Sequence, residues 1–528
     1  MTLRHAVVGI LAIILTVGVV ASQSLASTRR MGMSVLEDKI RGGWAGQMIG
    51  VSYGAPTEFR ARGTTYDAEL TWFPERVSNS IGQDDLYVEM TFAEVMDRIG
   101  VNATSKQYGD MFKDSRYRLW HANAAARRLL NLGIDAPMSG DPKYNAHAND
   151  IDFQIEADFI GLMTPGLPQE ANKLCERVGR VMNYGEGLYG GMFFGGMYSA
   201  AFFETDVRRI VEQGLAGIPA QSKYGKIIRD VLDWSAKNPD DWKKTWQLIE
   251  DKWDKDHACP DGALNAFNID AGMNGAYVTL GLLYGKGDFA KTVEVATRAG
   301  QDSDCNPSSA AGILGVMLGY QKIPEFWKSG IPAIADRKFE FTNYTYNEIC
   351  KSTLDRALAT IKQAGGKVEG TDIAVPVQKP TPAKFEEYNP GIPDKRIEAA
   401  DPSWSWKGKW ADDSLPSRGS GAPKIGARSA EGAGSEATLT FTGSAAFLLG
   451  VNSQSGGRAD VYLDDKKERE LDAYIVERTN DPVLWHVYGL TQGPHTLRIV
   501  TRDDADPRSR GKRIVISSAV IYRKQVLP

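Results

Sequence analysis

Two aspartates one residue apart, Asp302 and Asp304, run directly into a segment with almost no hydrophilic surface. The stretch reads Ala299-Gly300-Gln301-Asp302-Ser303-Asp304-Cys305-Asn306-Pro307, and everything from Ser308 to Gly319 is small or apolar. Proline suits the first position of a helix and asparagine the cap before it, so a helix is predicted to open at Asn306-Pro307. A helix of this composition has to be buried. Gly312, Gly315 and Gly319 share a face on which another backbone can approach closely. Aspartate is rarely buried unless it is paired or bound to a metal. The pair therefore reads either as helix-capping groups or as ligands for a cation.

Upstream, Ser34-Val35-Leu36-Glu37 has the pattern of a capping box. The helix it predicts carries Leu36, Ile40, Trp44 and Met48 in one apolar series and Gly42, Gly46 and Gly50 in another. Each glycine costs ~1 kcal/mol of helix stability against alanine. Such a row implies close helix contact or a ligand lying against the backbone. Asp84 and Asp85 form a second acidic pair, again at the start of an apolar-periodic helix (Leu86, Met90, Ala93, Met96). Acids there also suit the helix dipole. From 104 to 365 the pattern stays helical, with segments near 116–131, 154–163, 168–183, 190–213, 222–237, 241–253, 270–284, 288–299 and 346–363.

The pattern then changes. Pro376, Pro380, Pro382, Pro390 and Pro393 fall in a polar stretch that reads as a linker. Beyond Ala437 the hydrophobic period becomes two, in 438–442, 447–451, 459–463, 496–500 and 513–517. The expected organisation is a signal peptide over 1–26, an all-α domain over 34–365, a Pro-rich linker over 366–400 and a jelly-roll-like β-sandwich over 401–528. Trp404, Trp406, Trp410 and Trp485 are either its core or platforms for stacking sugars. The signal reading rests on Arg4 and His5, the apolar run 6–21 and Ser24-Leu25-Ala26, and it implies a secreted or periplasmic protein with no stable membrane insertion after cleavage.

The formal net charge of −4 argues against a general nucleic-acid binder. None of the six histidines is paired at zinc-ligand spacing, and the four cysteines form no CxxC. A metal site is therefore expected to be built from oxygen, which suits Mg²⁺, Mn²⁺ or Ca²⁺.

Three motifs in order carry a family resemblance. They are Gly43-Trp44-Ala45-Gly46-Gln47-Met48 through Pro56-Thr57-Glu58, then Gln83-Asp84-Asp85, then Gly300-Gln301-Asp302-Ser303-Asp304-Cys305-Asn306. Residues 34–330 resemble the ADP-ribosylglycohydrolase family, an all-α fold with a site for two metal ions. The resemblance implies Mg²⁺ or Mn²⁺, as two ions or one, held by Asp84, Asp85, Asp302 and Asp304. It implies catalytic roles for Glu58 and Asp85. Gln83 stands where the family usually has threonine and would offer an amide oxygen as a ligand. Cys305 also replaces a threonine, and its sulfur is a poor match for a hard ion. The segment carrying Asn149, Asp152 and Gln154 corresponds to one that faces substrate in the family. It reads equally as a capped helix start with exposed acids. Tyr184 and Tyr189, in a glycine-rich stretch, are candidates for stacking on a substrate ring.

The implied activity is metal-dependent hydrolysis of an N- or O-glycosidic bond in a ribosyl- or furanosyl-like glycoside, with a small-molecule or carbohydrate substrate. The alternative is a non-catalytic carbohydrate- or nucleotide-binding protein with a degenerate metal site.

Overall fold

The computed structural model describes residues 27–254, 257–416 and 423–525. The expected signal peptide lies outside the described residues. Helices dominate from Met33 to Gln363, and antiparallel strands dominate after it.

The helical domain is built around one crossing. The Met33–Gly54 helix lies antiparallel against the Cys305–Leu318 helix. A Cβ added at Gly42 would overlap the carbonyl oxygen of Gly315; at Gly46, that of Ala311; at Gly50, that of Pro307; at Gly54, that of Ser303. Each step of four along one helix is a step of four back along the other. The reverse also holds, since a Cβ on Gly315 would overlap the Gly42 oxygen. The glycine row thus brings two backbones into direct contact, which compensates for its poor helix propensity. Trp44, Met48, Ile313 and Leu314 fill the flanks.

The first helix starts two residues earlier than its capping-box pattern suggests. Residues Thr28–Gly32 form a strand paired with Asp372–Pro376, and the Met33 amide donates to Thr371 O at 2.7 Å. With the chain held there, Gly32 takes the N-cap position and no side chain caps the helix, so the expected Ser34 capping box is not formed. The segment 190–213 is two helices, Gly185–Ala201 and Val207–Leu215, and Ser105–Lys113 adds a helix that apolar spacing did not reveal.

The stretch expected to be a linker is partly strand. Lys367–Glu369 and Asp372–Pro376 complete a three-stranded sheet with Thr28–Gly32, and Ile392–Glu398 pairs with Arg513–Arg523. Between them the chain straps the helical domain. Tyr189 Oη donates to Lys384 O at 2.9 Å, Arg180 pairs with Glu386 at 2.8 Å, and Asn149 Nδ2 donates to Tyr388 O at 2.9 Å.

The sandwich has two sheets. One runs Lys466–Lys467, Arg458–Leu463, Gly493–Thr501, Glu436–Gly443, Trp404–Lys407. The other runs Thr479–Val487, Ala445–Asn452, Arg513–Arg523, Ile425–Glu431, Ala411–Leu415. Every residue of Ala445–Asn452 is buried. Ala446 and Leu448 face the sandwich core, while Ala445, Phe447 and Leu449 join Val520 and Tyr522 against Ala146, Ala148 and Ala263 of the helical domain. Polar links reinforce this contact: His486 Nε2 to Pro142 O at 2.6 Å and Arg508 Nη2 to Asn131 O at 2.7 Å. Trp404 and Trp485 are core, whereas Trp406 and Trp410 are partly exposed, Trp406 stacking on Trp404 and meeting Trp410 edge to face.

Candidate metal centre

The crossing that buries the glycine row also assembles the acidic motifs. A Cβ on Gly54 would lie 2.5 Å from Asp304 Cα, so the end of the first helix sits on the Asp302–Asp304 turn. Thr57 Oγ1 and Ser303 Oγ are 2.7 Å apart. The Phe59 amide donates to Gln301 O at 2.9 Å, and the Gln301 amide donates to Ala61 O at 2.8 Å. These bonds sew the loop carrying Glu58 to the loop carrying Asp302. Gln301 takes a left-handed φ of 53°, which favours glycine. Its side chain compensates, accepting from the Asn268 amide at 3.0 Å and donating to Ala266 O at 2.9 Å.

Neither acidic pair caps its helix through a side chain. Asp304, not Asn306, is the N-cap of Cys305–Leu318, because the Asn306 and Ser308 amides already donate to Asp302 O and Asp304 O. Asp304 makes no side-chain capping bond, and neither does Gln83, the N-cap of Asp84–Ile99. The carboxylates are left for something else. Asp85, Asp302 and Asp304 are 1%, 3% and 3% exposed, and both carboxylate oxygens of Asp85 lack any hydrogen-bond partner. One ligand atom from each of Asp302, Asp304 and Cys305 lies within 4.8 Å of the others.

The pKa shifts reflect this crowding. Burial, then the neighbouring charge of Asp84, pushes Asp85 up to about 8. Burial, then Asp85, pushes Asp304 up to about 7. Asp302 is raised well above the usual carboxylate range by burial and by Asp304, Glu58 and Asp85, and Asp84 is raised by burial and Asp152. Glu58 is an exposed residue at the edge of the cluster. Its carboxyl is nonetheless crowded enough that lost hydration, then Asp304 and Asp84, raises it to about 8. A buried set of carboxyl oxygens, two of them on Asp85 without any partner, fits hard divalent cations, which remove both the repulsion and the unmet bonding.

A pH dependence follows. Unfolded carboxylates titrate near ~4. With folded values of about 8 for Asp85 and about 7 for Asp304, the folded state binds more protons than the unfolded state between those limits. Stability of the metal-free protein is therefore full below the unfolded pKa and falls as pH rises toward 8. Melting temperatures measured from pH 5 to 8 in EDTA should decline, and saturating divalent cation should flatten that decline. An EDTA profile that rises over this range would contradict the assignment.

Other residues singled out in the sequence are placed differently. Gln83 Nε2 donates to Asn79 Oδ1 at 2.7 Å. Asp152 accepts from the amides of Ala122 and Asn123 at 3.2 and 2.9 Å, which anchors the His121–Asn131 helix. The exposed-acid reading does not hold for Asp152, which is buried. Gln154 is fully buried and accepts from Tyr224 Oη at 2.7 Å. Asn149 lines a cleft of about 980 Å³ with Glu186, Lys223, Trp234 and Tyr388. Tyr189 is buried with its hydroxyl bonded to the strap, and Tyr184 packs under the Arg180 guanidinium, 5.0 Å from the ring centre. The strap engages both Tyr189 and Asn149, which sequence alone placed toward substrate.

Two further groups emerge only in the structure. Behind Asp85, Glu89, Glu156 and Asp158 are buried carboxyl groups, each with one unpartnered oxygen. Glu89 lies one helical turn beyond Asp85 in an apolar helix, a signal that could have been read. Elsewhere, one ligand atom from each of His121, His147 and Asp261 lies within 4.8 Å of the others. The expectation of a metal site built from oxygen did not register this histidine-bearing group. These residues come from three separate segments, so sequence spacing cannot reveal them. Burial alone would lower the His121 pKa. The hydrogen bond and charge of Asp261, with Asp152 and Asp150, outweigh it and raise the value to about 9.

Among solved structures, one titled "ADP-ribosylglycohydrolase-related protein complex" is similar at 15% identity and TM-score 0.41, covering 61% of this chain and 98% of that one. The CBM36-1 domain of a multidomain xylanase from the hindgut metagenome of Trinervitermes trinervoides is similar at 14% identity and TM-score 0.19, covering 25% of this chain and 98% of that domain. A two-domain esterase active on acetylated mannans is similar at 14% identity and TM-score 0.21, covering 34% of this chain and 47% of that one. No curated protein matches the chain. The family model described as ADP-ribosylglycohydrolase matches residues 33–357, more than half of the chain and the whole of the acidic cluster. The chain belongs to the ADP-ribosylglycohydrolase family.

Proposed function

We propose that this protein is an exported, Mg²⁺- or Mn²⁺-dependent glycohydrolase that cleaves an N- or O-glycosidic bond of a ribosyl- or furanosyl-like glycoside. The observation that carries the reading is the convergence of Asp84, Asp85, Asp302 and Asp304 beside Glu58, with both Asp85 oxygens buried and unpartnered. Asp84, Asp85, Asp302 and Asp304 would hold the cations. Bound there, such ions orient neighbouring hydroxyls of a sugar and polarise an attacking water.

The protein's own contribution is positional and acid–base. Glu58 stands at the exposed edge of the cluster, where it can exchange a proton with water or with the leaving atom. In hydrolysis, water oxygen bonds to the anomeric carbon, the glycosidic bond breaks, and the proton released by water passes to the leaving group. Gln301, Thr57 and Ser303 hold the Glu58 loop over the aspartates. The export reading rests on the sequence of residues 1–26.

The test uses the purified full chain with Mg²⁺, Mn²⁺ or EDTA against ADP-ribosyl and furanosyl substrates, reading release of free sugar. Metal-dependent release that drops ~10²-fold or more in Glu58→Gln is expected. Tight metal binding without hydrolysis of any substrate would favour a binding protein with a retained cation site.

A further inference from the structure

We propose that His121, His147 and Asp261 form a second cation site, separate from the aspartate centre and suited to nitrogen-seeking divalent ions such as Zn²⁺ or Co²⁺. One ligand atom of each lies within 4.8 Å of the others, so a small inward shift of the side chains would bring all three to about 2.0–2.2 Å from a common ion. The donor set is two imidazoles and one carboxylate. That combination selects borderline ions over Mg²⁺, which prefers oxygen alone.

The surroundings are those of a built site. His147 Nδ1 is 2.7 Å from Asp150 Oδ2, and Asp150 is buried. A carboxylate on one ring nitrogen fixes the tautomer and leaves the other nitrogen to ligate. The His147 amide also donates to Asn145 Oδ1 at 3.0 Å, which holds the turn. His121 is set by Asp152, whose carboxylate binds the two following amides, and it has a left-handed φ of 42°. Such strain in a non-glycine residue persists where the surroundings enforce it and concentrates at functional sites. Phe267 packs against the His121 ring at a 5.6 Å centroid separation.

His121 Nδ1 and Asp261 Oδ2 are 2.7 Å apart, the spacing of a shared proton. A cation would displace that proton and be held by the same two atoms or their neighbours. Entry is available, because Asp261 lines a cleft of about 530 Å³ with Arg62, Phe267 and, from the sandwich, Leu449 and Asn480. The sandwich thus borders the site.

The experiment is titration of metal-free full-length protein with Co²⁺ in excess Mg²⁺, read by visible absorption and calorimetry. About one equivalent should bind, with ligand-field bands of mixed nitrogen and oxygen coordination. His147→Gln and Asp261→Asn should each weaken binding by ~100-fold, and Asp150→Asn by ~10-fold. Asp304→Asn should leave the Co²⁺ spectrum unchanged. Circular dichroism checks folding, and the solvent-accessible Asp261 supplies a variant that leaves the core intact. Absence of the bands, their persistence in both His147→Gln and Asp261→Asn, or their loss in Asp304→Asn would each overturn the proposal.

Discussion

Asp304→Asn is expected to lose Mg²⁺ or Mn²⁺ binding and turnover together, each by more than ~100-fold. The substitution keeps the shape and removes one charge from a cluster in which Asp304 acts on Asp302 and Glu58 and is itself raised by Asp85 and Asp84. The apo protein should respond in the opposite direction. Asp304 has a pKa of about 7, so at pH 8 it is mostly ionised in a buried place beside other carboxylates. Asparagine removes that cost, and the metal-free variant should melt at the same temperature as the parent or higher at pH 8. The difference should vanish toward pH 5, where Asp304 is protonated. Metal content, calorimetric titration and melts at both pH values test all three statements. A variant that binds metal like the parent would show that Asp304 is not a ligand.

Gly50→Ala is expected to destabilise the fold by about 3 kcal/mol. In a solvent-facing helix the same change would stabilise by ~1 kcal/mol. Here an added Cβ overlaps the Pro307 carbonyl oxygen and lies 2.6 Å from Ser308 N, both backbone atoms that cannot rotate away. The two helices must separate. Their separation also lifts Gly54 from Ser303 and Asp304, and with it the Thr57–Ser303 contact that holds the Glu58 loop. The denaturation midpoint should fall with little change in slope, and turnover should fall in protein that is still folded. An increase in stability would mean that the helices have room to spare.

Much of this organisation is legible in the residues. Hydrophobic spacing of 3.6 up to Gln363 and of two beyond Ala437 divides the chain into helical and sandwich parts, because local periodicity decides which face of an element can be buried. The acidic pairs stood out because charge leading into apolar helices demands compensation. The run at 447–451, read with the alternating strands, is instead covered on both faces, because one face packs on the sandwich core and the other on the helical domain.

What the sequence determined by itself was most of the helices and sandwich strands, the two glycine-bearing helices and the two acidic pairs. Only the tertiary structure decided that Gly42, Gly46, Gly50 and Gly54 meet Gly315, Ala311, Pro307 and Ser303, and so where Glu58 sits. The same is true of His121, His147 and Asp261, which lie on three loops or helix starts, and of Tyr189, which was drawn to the strap rather than to a ligand. The physical reason is common to these cases. Periodicity reports that a face must be covered, and the partner that covers it is chosen by the packing of the whole core, across separations that local patterns do not record.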